Sequence, residues 1–326
     1  MSNTLPIYIG VSPPTFEQSQ NWPPIPSVIL VPFPLDGTRP READTVVGLW
    51  RRQHDATAWV TALLPTLPKL MWLHTDTVGV ERLPLKFLHE RGTALTNARG
   101  AFSTPMAEWA LCIMLMSSKR MTRFLAKAQL GVWAADVIPS DFCNQTILIL
   151  GYGSAGRELS RVCRALGIRV ICVRRTTRTV EDIEPGVTVI SVQENWMDLL
   201  PECDFLVVTV PLTEETEGLV DRDVLTRLRP GARLINLARA QVVNEDAMIA
   251  ALRAGTLAEA WLDVFAVEPL PPEDRLWREP NVYLTPHMSA VGESNESSTR
   301  AVFLRELEQF LQGRHPINQI NLLLGY

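Results

Sequence analysis

The chain has 326 residues, of which 46% are hydrophobic and 21% are charged, and its formal net charge is −5. This length exceeds what one ordinary hydrophobic core supports, so the sequence predicts two domains of ordinary globular composition. The slightly acidic balance excludes an overall basic field, and we expect neither nucleic acid nor a membrane surface as a partner.

The cysteines and the apolar stretches bear on the compartment. Five cysteines are scattered along the chain without metal-ligand spacing, so we expect reduced thiols and no metal site. The longest apolar run, residues 110–116, is far shorter than the roughly 20 residues that span a bilayer. The first residues lack the basic and apolar regions of a signal peptide, and we expect a cytoplasmic protein.

The first hundred residues are typical of an α/β domain. Residues 1–40 contain nine prolines, and because proline breaks helices we expect only short strands in that stretch. The predicted elements in chain order are strands at 7–11, 28–31 and 45–50, a helix near 56–64 and a strand at 70–74. This alternation of strands and helices indicates the α/β class.

An apolar helix is predicted to connect this domain to the next. Pro105 fits the first turn of a helix that extends to Met116, and Ser103 or Thr104 is a suitable N-cap. The helix is apolar nearly all round, so we expect it to be buried.

The second domain begins with a strand at 146–150, whose unbroken apolar run suits a parallel sheet covered on both faces. Further runs separated by helical stretches lie at 169–173, 187–190, 205–209, 233–237, 260–263 and 282–284. This pattern predicts a doubly wound parallel sheet. A helix at 295–311 then returns to the first domain. We therefore expect a smaller domain of residues 1–103 and 289–326, and a second domain of residues 104–288.

A glycine-rich turn follows the strand that ends at Leu150. Residues 151–156 read Gly-Tyr-Gly-Ser-Ala-Gly, which is the G-x-G-x-x-G pattern between a strand and a helix. Gly151 permits the tight turn, Gly153 lets the backbone approach a pyrophosphate, and Gly156 lets the helix pack closely. The pattern predicts a dinucleotide-binding Rossmann domain.

The first turn of the following helix completes this phosphate site. We expect the N–H groups of Ser154 and Ala155 to point at the phosphates from the helix N-terminus. The alternatives are a glycine-rich loop without a ligand and a protein-kinase loop. The kinase alternative needs H-R-D and D-F-G motifs downstream, and the sequence has neither.

The end of the next strand selects between cofactors. An NAD site places an acidic residue there, on the ribose 2′-hydroxyl. This chain has Arg174, Arg175 and Thr176 instead, and the first acidic residue afterwards is Glu181. Two guanidinium groups bind a 2′-phosphate by charge-assisted hydrogen bonds, whereas a carboxylate repels it. The sequence favours NADP(H), with an exposed basic loop and weaker use of NAD(H) as the alternative.

Charged side chains follow three further strands of the second domain. Arg239 follows the strand at 233–237, Asp263 and Glu268 follow the next, and His287 follows the last. Ligands of open α/β sheets bind at the carboxyl ends of the strands. Taken singly, each residue has a structural role as its alternative. Together, after a dinucleotide turn, an arginine, a carboxylate and a histidine form a plausible ketone-reducing set.

With these motifs in place, the chain resembles the D-isomer-specific 2-hydroxyacid dehydrogenase family, which includes glyoxylate/hydroxypyruvate reductases. The resemblance runs from about Leu70 to about Leu311. It rests on Val78-Gly79-Val80-Glu81, Thr96-Asn97, Ala107-Glu108, the glycine turn, Val210-Pro211 with Thr213, Ile235-Asn236 with Arg239, Leu262 to Phe265 with Glu268 to Leu270, and Pro286-His287. One glycine motif is weak evidence, whereas this ordered set is specific.

The resemblance implies two doubly wound domains, a Rossmann coenzyme domain and a smaller flavodoxin-like substrate domain. It also implies NADP(H)-dependent reduction of a small 2-keto acid to the D-2-hydroxy acid. His287 would protonate the ketone oxygen, and Glu268 would hydrogen-bond His287 and favour its imidazolium form. Arg239 would grip the substrate carboxylate and polarise the carbonyl. Backbone N–H groups of Val78 and Gly79 would bind the same carboxylate from the other domain.

Further implied roles concern the coenzyme and the assembly. Asp263 would contact the nicotinamide amide, and four residues would line the coenzyme cleft: Val210, Pro211, Leu237 and Ala238. The family builds homodimers through its coenzyme domains, so the resemblance implies a homodimer here.

The substrate pocket is less determined. Trp50 and Thr77 are candidates to line it, with a core tryptophan as the alternative for Trp50. Arg51 or Arg52 would contact an acidic group of the substrate, with a solvated surface arginine as the alternative. Glyoxylate, hydroxypyruvate, pyruvate-like and bulkier keto acids all stay open.

Several positions depart from the family pattern. Ala240 replaces the glycine that usually follows the arginine, Asn244 replaces an acidic residue, and Glu81 replaces an aspartate. None of these removes a chemical group named above. Two other functions stay open: an NAD-linked dehydrogenase of the same family, and a catalytically quiet dinucleotide-binding scaffold.

Overall fold

The computed structural model describes residues 6–36, 38–39, 41–52, 56–175 and 185–326. The chain divides into two compact units. Unit 1 consists of Met1–Ala101 and Ser294–Tyr326, and unit 2 of Phe102–Glu293. The sequence analysis placed the two boundaries a few residues away, after residues 103 and 288.

Unit 1 contains a parallel five-stranded sheet. Its strands are β1 (Ile7–Val11), β2 (Val28–Pro32), β3 (Val46–Arg51), β4 (Trp72–Thr75) and β5 (Ala94–Asn97). They are arranged in the order β2-β1-β3-β4-β5, and every pairing is parallel. This is the strand order of flavodoxin-like folds, as the family resemblance implies.

The helices of unit 1 are α1 (Pro13–Ser19), α2 (Thr57–Leu63), α3 (Leu85–Arg91) and α9 (Asn295–Leu311). Helix α1 corrects the expectation that only strands fit the proline-rich segment. Pro13 and Pro14 occupy the first two helical positions, where the missing N–H is not needed for an intrahelical bond. Proline therefore starts this helix rather than preventing it.

Aromatic stacking joins α9 to the sheet of unit 1. Phe303 is fully buried, and its ring lies 3.7 Å from that of Trp50 and 5.7 Å from that of Trp72. The two tryptophans belong to neighbouring strands, so one phenylalanine of the returning helix packs across both. The C-terminal helix is thus part of the core of unit 1.

Unit 2 contains a parallel seven-stranded sheet. Its strands are β6 (Thr146–Leu150), β7 (Arg169–Arg174), β8 (Thr188–Ser191), β9 (Phe205–Val208), β10 (Ala232–Asn236), β11 (Leu257–Leu262) and β12 (Val282–Leu284). Their order is β12-β11-β10-β9-β6-β7-β8. The order reverses at β6, which is the topological switch point of a Rossmann fold. The predicted doubly wound fold is confirmed.

Both faces of this sheet are covered. Strand β6 is buried along its whole length, and its side chains alternate between two hydrophobic clusters. Leu148 and Leu150 pack on one side, whereas Ile147 and Ile149 pack on the other. Strand side chains point to opposite faces with a period of two, so an unbroken apolar run satisfies both clusters.

The helices of unit 2 are α4 (Ser103–Ser118), α5 (Met121–Gln129), α6 (Ser154–Ala165), α7 (Arg222–Arg227) and α8 (Glu245–Arg253). Helix α4 differs from the expectation in two ways. It begins at Ser103 without a side-chain cap, so neither Ser103 nor Thr104 is the N-cap. It is also buried on one face only, because Cys112 and Leu115 are exposed.

Among the described residues, the helices are all too short or too polar to cross a membrane.

Candidate functional site

The glycine turn has the geometry that its sequence requires. Gly151 has a φ of +110°, and a Cβ there would lie 2.8 Å from Oγ1 of Thr209. A Cβ on Gly156 would lie 2.0 Å from the carbonyl oxygen of Gly151. Gly153 instead faces open space, with nothing within 4 Å of the Cβ position. Two glycines therefore close the turn, and the third leaves its surface clear.

Helix α6 starts within this motif, at Ser154. Gly153 is its N-cap residue, and Ser154 and Ala155 occupy its first turn. The first N–H groups of an α-helix have no carbonyl partner within the helix, and the helix dipole adds positive potential there. An anionic pyrophosphate fits this bare turn, so the residues present suit a dinucleotide.

Arginine side chains gather beside the turn at the end of β7. Arg174 is the last residue of that strand, and Arg175 follows it in an exposed position. The guanidinium carbon of Arg174 lies 5.9 Å from the ring of Tyr152, and that of Arg157 lies 4.5 Å from the same ring. Thr176, the third predicted residue of this site, lies outside the described residues.

Arg157 is a basic neighbour that sequence reasoning missed. It lies in the first turn of α6, one position beyond the glycine motif, and Tyr152 is the middle residue of that motif's first half. The signal in the sequence is a tyrosine inside the glycine motif with an arginine five positions later, directly after the motif.

The end of β10 is shaped by Asn236, a buried strand residue. Its side chain accepts a hydrogen bond from the N–H of Ala238 at 3.0 Å and donates one to the carbonyl of Arg239 at 3.0 Å. These bonds fix the turn that carries Leu237, Ala238 and Arg239. Asn236 therefore has a positional role, which its place in the motif alone does not indicate.

Asp263 holds the segment that carries His287. Its Oδ1 accepts from the Thr285 hydroxyl at 2.6 Å and from the Met288 N–H at 2.9 Å. Its Oδ2 accepts from the Ser289 N–H at 2.8 Å. His287 lies between these donors with a left-handed φ of +55°. A buried carboxylate thus stabilises a backbone conformation that non-glycine residues rarely adopt.

His287 and Glu268 form a hydrogen-bonded pair. Nδ1 of the imidazole lies 2.8 Å from Oε2 of Glu268, while Oε1 of the same carboxylate accepts from the Phe265 N–H at 3.0 Å. Partial burial acts to raise the pKa of Glu268. The hydrogen bonds from His287 and Phe265, with the charges of His287 and Arg239, outweigh burial and lower that pKa overall.

The structure thus brings three predicted residues together. Glu268 contacts His287 directly, and Arg239 is close enough for its charge to lower the Glu268 pKa. All three follow strand ends of one sheet, namely β10, β11 and β12. Val210 and Pro211 follow β9, the strand next to β10. The imidazole, guanidinium and carboxylate can together hold a proton beside a bound anion.

In unit 1, the loop after β4 presents two backbone N–H groups. The carbonyl of Thr77 accepts from the Ala98 N–H at 3.2 Å, and the carbonyl of Val78 accepts from Nδ2 of Asn97 at 2.7 Å. In a trans peptide the N–H points opposite to the carbonyl, so the N–H groups of Val78 and Gly79 point away from residues 97 and 98. Val78 is also exposed. Two adjacent outward N–H groups suit a carboxylate.

Trp50 lies in the core of unit 1, which overturns its assignment to the substrate pocket. The side chain is fully buried in a cluster with Trp72 and Phe303, and its indole N–H donates to Asp76 at 2.9 Å. The alternative interpretation as a core tryptophan is confirmed. Thr77, the other pocket candidate, donates from its hydroxyl to the carbonyl of Gly79 at 3.0 Å and so shapes the loop.

The arginines after Trp50 are buried rather than solvated. Arg52 lies 2.8 Å from Asp76 through Nε, and its guanidinium lies 5.0 Å from the ring of Trp50. Arg51 donates to the Thr75 hydroxyl at 2.9 Å. The alternative interpretation as solvated surface arginines is wrong, because Asp76, hydroxyls and aromatic rings together supply partners within the fold.

His74 shares this buried region. Burial, with a smaller effect from the charge of Arg305, lowers the pKa of His74 to about 3. An imidazole that stays neutral at ordinary pH and is fully buried is not placed to exchange protons with a ligand. His287, in contrast, is exposed and bonded to Glu268 through Nδ1.

Across the parts of the chain that the structure describes, no group of three or more His, Cys, Asp or Glu side chains is arranged to hold a metal ion.

Comparison with known proteins places these features in a family. Residues 111–289 match the family model described as D-isomer specific 2-hydroxyacid dehydrogenase, NAD binding domain. A glyoxylate reductase from Korarchaeum cryptofilum is 30% identical over 87% of this chain and 84% of its own length. A glyoxylate/hydroxypyruvate reductase B from Yersinia enterocolitica is 32% identical over 80% of each chain.

A solved structure resembles the whole chain. It is a D-isomer specific 2-hydroxyacid dehydrogenase from Xanthobacter autotrophicus Py2, in complex with NADPH and MES. That protein is 25% identical, and the likeness covers 99% of this chain and 100% of the other with a TM-score of 0.82.

The lowered pKa of Glu268 predicts a pH-dependent contribution to stability. An acid whose pKa is lowered by folding adds stability that is fully present above its ordinary value of 4.5, and this stability is lost as the pH falls through the lower folded value. The difference in unfolding free energy between the wild type and Glu268→Gln should therefore shrink as the pH falls from about 5.5 into stronger acid.

Urea unfolding of both proteins between about pH 3.5 and 7 measures this difference. Glu273→Gln removes one charge from an exposed position of the same loop and is the control. A gap between wild type and Glu268→Gln that widens on acidification would contradict the assignment.

Proposed function

Because the chain belongs to the D-isomer specific 2-hydroxyacid dehydrogenase family, we propose that it reduces a small 2-keto acid to the D-2-hydroxy acid with NADPH. The observation that carries this proposal is the 2.8 Å contact between His287 and Glu268 at the carboxyl edge of the sheet that also bears the glycine turn. An acid–base pair and a nucleotide turn on one sheet edge are the parts that hydride transfer to a ketone requires.

His287 is the proposed proton donor. Its Nδ1 faces Glu268, which leaves Nε2 as the ring nitrogen that can face a substrate. As hydride reaches the carbonyl carbon, the C=O π bond breaks and its electron pair moves to oxygen. The Nε2 proton then passes to that oxygen. Glu268 keeps the imidazolium oriented, and Asp263 keeps its backbone in place.

Arg239 and the unit 1 loop are the proposed carboxylate partners. The guanidinium of Arg239 offers a rigid fork of donors, and the N–H groups of Val78 and Gly79 offer two more. Arg239 also stabilises negative charge that develops on the ketone oxygen. A site that binds both a carboxylate and a neighbouring ketone oxygen selects 2-keto acids as the substrate class.

The cofactor is proposed to be NADP(H), with NAD(H) used more weakly. A bound nicotinamide dinucleotide supplies the hydride. The matched domain is an NAD-binding domain, which supports a dinucleotide in general. Arg174 and Arg175 support the 2′-phosphate, and the Xanthobacter relative was crystallised with NADPH. The assignments of Val210, Pro211, Leu237, Ala238 and Asp263 to the coenzyme cleft stay predictions.

The names of two relatives indicate which keto acids to test first. Two that align over most of this chain are named for glyoxylate or hydroxypyruvate. Both are small 2-keto acids, and the proposed site asks for no more than a carboxylate beside a ketone. Glyoxylate and hydroxypyruvate are therefore the first substrates to test.

A homodimer through unit 2 is also proposed. Three large apolar side chains after α5 are strongly exposed: Trp133 by 93%, Ile138 by 82% and Leu130 by 77%. Helix α4 adds exposed Cys112 and Leu115. Large apolar side chains that are this exposed favour an association site, and a second copy of the chain covers them in this proposal. The five free thiols support a reducing compartment such as the cytoplasm.

The catalytic assignment predicts the behaviour of a His287→Asn variant. Asparagine accepts a left-handed backbone, so the segment keeps its shape, but it cannot transfer the proton. We expect kcat for glyoxylate or hydroxypyruvate to fall by about 10² to 10⁴-fold with NADPH binding retained. NADPH oxidation at 340 nm and a fluorescence titration measure the two quantities.

His89→Asn, an exposed histidine of α3, controls for loss of an imidazole and should leave kcat unchanged. If His287→Asn turns over as fast as the wild type, the proton donor is another group. If the wild type binds NADPH and reduces no keto acid, the scaffold alternative replaces the enzyme.

The cofactor assignment predicts a change of preference in an Arg174→Gln/Arg175→Gln variant. Loss of two charged donors should raise KM for NADPH by about 10 to 100-fold and change KM for NADH by less than about 2-fold. Arg169→Gln, at the opposite end of β7, is the matched control. Equal increases in KM for both cofactors would contradict the assignment of Arg174 and Arg175 to a 2′-phosphate.

The dimer proposal predicts that a Leu130→Ser/Trp133→Ser variant is monomeric. Light scattering after size exclusion should give twice the 36.5 kDa chain mass for the wild type and a single chain mass for the variant. Leu323→Ser removes an equally exposed leucine from unit 1 and should stay dimeric. A monomeric wild type would end the proposal.

A further inference from the structure

The C-terminal segment of the chain forms an additional edge on the sheet of unit 1. Thr96 and Gln319 form an antiparallel bridge, and the N–H of Ile320 donates to the carbonyl of Leu95 at 2.9 Å. Ile320 is buried in the same cluster as Leu95. The segment around residue 319 is therefore fixed against the end of β5, which is the strand that leads to Asn97.

Helix α9 anchors this segment from the other side. Glu306 is fully buried, and its Oε2 accepts from the N–H groups of Ile317 at 2.9 Å and Asn318 at 3.3 Å. A buried carboxylate with two backbone donors holds a loop firmly, because breaking either bond leaves a buried N–H without its acceptor. The position of Asn318 is thus set by both α9 and β5.

The side chain of Asn318 ties together the turn after β5. It is 3% exposed, and its Nδ2 donates to the carbonyls of Asn97 at 3.2 Å and Arg99 at 2.8 Å. Its Oδ1 accepts from Nε of Arg99 at 3.3 Å. The amide nitrogen and the amide oxygen of Asn318 therefore both form hydrogen bonds to this turn.

The turn after β5 also orients the loop after β4. The Asn97 side chain and the Ala98 N–H hold the carbonyls of Val78 and Thr77, respectively. These two bonds direct the N–H groups of Gly79 and Val78 outward. A continuous set of hydrogen bonds therefore runs from Glu306 and Asn318, through Asn97 and Ala98, to the outward N–H groups.

From this set of bonds we propose that Asn318 is a positioning residue for the substrate-carboxylate loop, acting through residues 97 and 98. The inference rests on the proposed function, in which Val78 and Gly79 bind the carboxylate. Asn318 sets the orientation of those donors without touching the substrate. Its loss misdirects the donors while leaving Arg239, Glu268 and His287 as they are.

The variant Asn318→Ala tests the proposal by steady-state kinetics with NADPH and glyoxylate or hydroxypyruvate. Misaligned donors weaken carboxylate binding, so KM for the keto acid should rise by about 10-fold, with kcat within about 2-fold of the wild type. Fluorescence titration should give unchanged NADPH binding. Asn321→Ala is the matched control, because Asn321 lies in the same segment and bonds only within its own terminal turn.

Asn318→Asp provides a second variant that retains size and the contact to Arg99. A carboxylate cannot donate to the carbonyls of Asn97 and Arg99, so this variant should give the same rise in KM. It also serves as the test if the alanine variant fails to fold. A lower melting temperature with an unchanged KM in either variant would overturn the positioning role and leave a structural one.

Hydrogen–deuterium exchange separates this inference from the proposed function. Both variants should exchange faster than the wild type in a peptide covering residues 76–82, with α3 (Leu85–Arg91) unchanged. This measurement needs no turnover. A wild type that reduces no keto acid defeats the proposed function, whereas unchanged exchange at residues 76–82 defeats the role of Asn318.

Discussion

The parallel direction of every strand in the seven-stranded sheet is the constraint on which the site of unit 2 depends. Parallel strands end at one edge, so residues that are 136 positions apart in the chain, such as Gly151 and His287, follow strands of the same edge. The glycine turn follows the strand at which the order reverses. The arginine, carboxylate and histidine follow three successive strands on one side of it. No single loop could supply this combination.

Within that edge, short polar contacts set the orientation of each group. Asn236 fixes the turn of Arg239, and Asp263 fixes the backbone around His287. Both residues are buried, so their bonds are made in an environment where water cannot replace them. The residues proposed to act on a ligand, Glu268 and His287, are more exposed than Asn236 and Asp263. Removing a holding residue would therefore disturb chemistry that it does not perform.

Periodicity and motif spacing carried much of the fold, as the predicted helix at 295–311 and the buried strand at 146–150 illustrate. Strand ends grouped Arg239, Glu268 and His287 from the sequence, and the family resemblance implied the bond between Glu268 and His287. What failed depends on distant partners. The burial of Trp50 requires Phe303 on the returning helix, and Asn318 meets Asn97 across more than two hundred residues. A local sequence pattern cannot indicate such a contact. The expectation of no helix at α1 failed for a different reason, because a proline destabilises a helix in its interior but not in its first turn.

The return of the chain to unit 1 also orders events during synthesis. The ribosome synthesises the chain from its N-terminus, so all of unit 2 emerges before Phe303 does. Until then, Trp50 and Trp72 lack the ring that covers them, and β5 lacks its outer edge. The nascent chain therefore carries exposed aromatic surface in its first hundred residues while the unit that follows is already able to fold. Unit 1 is therefore the first unit to be synthesised and the last to complete its fold.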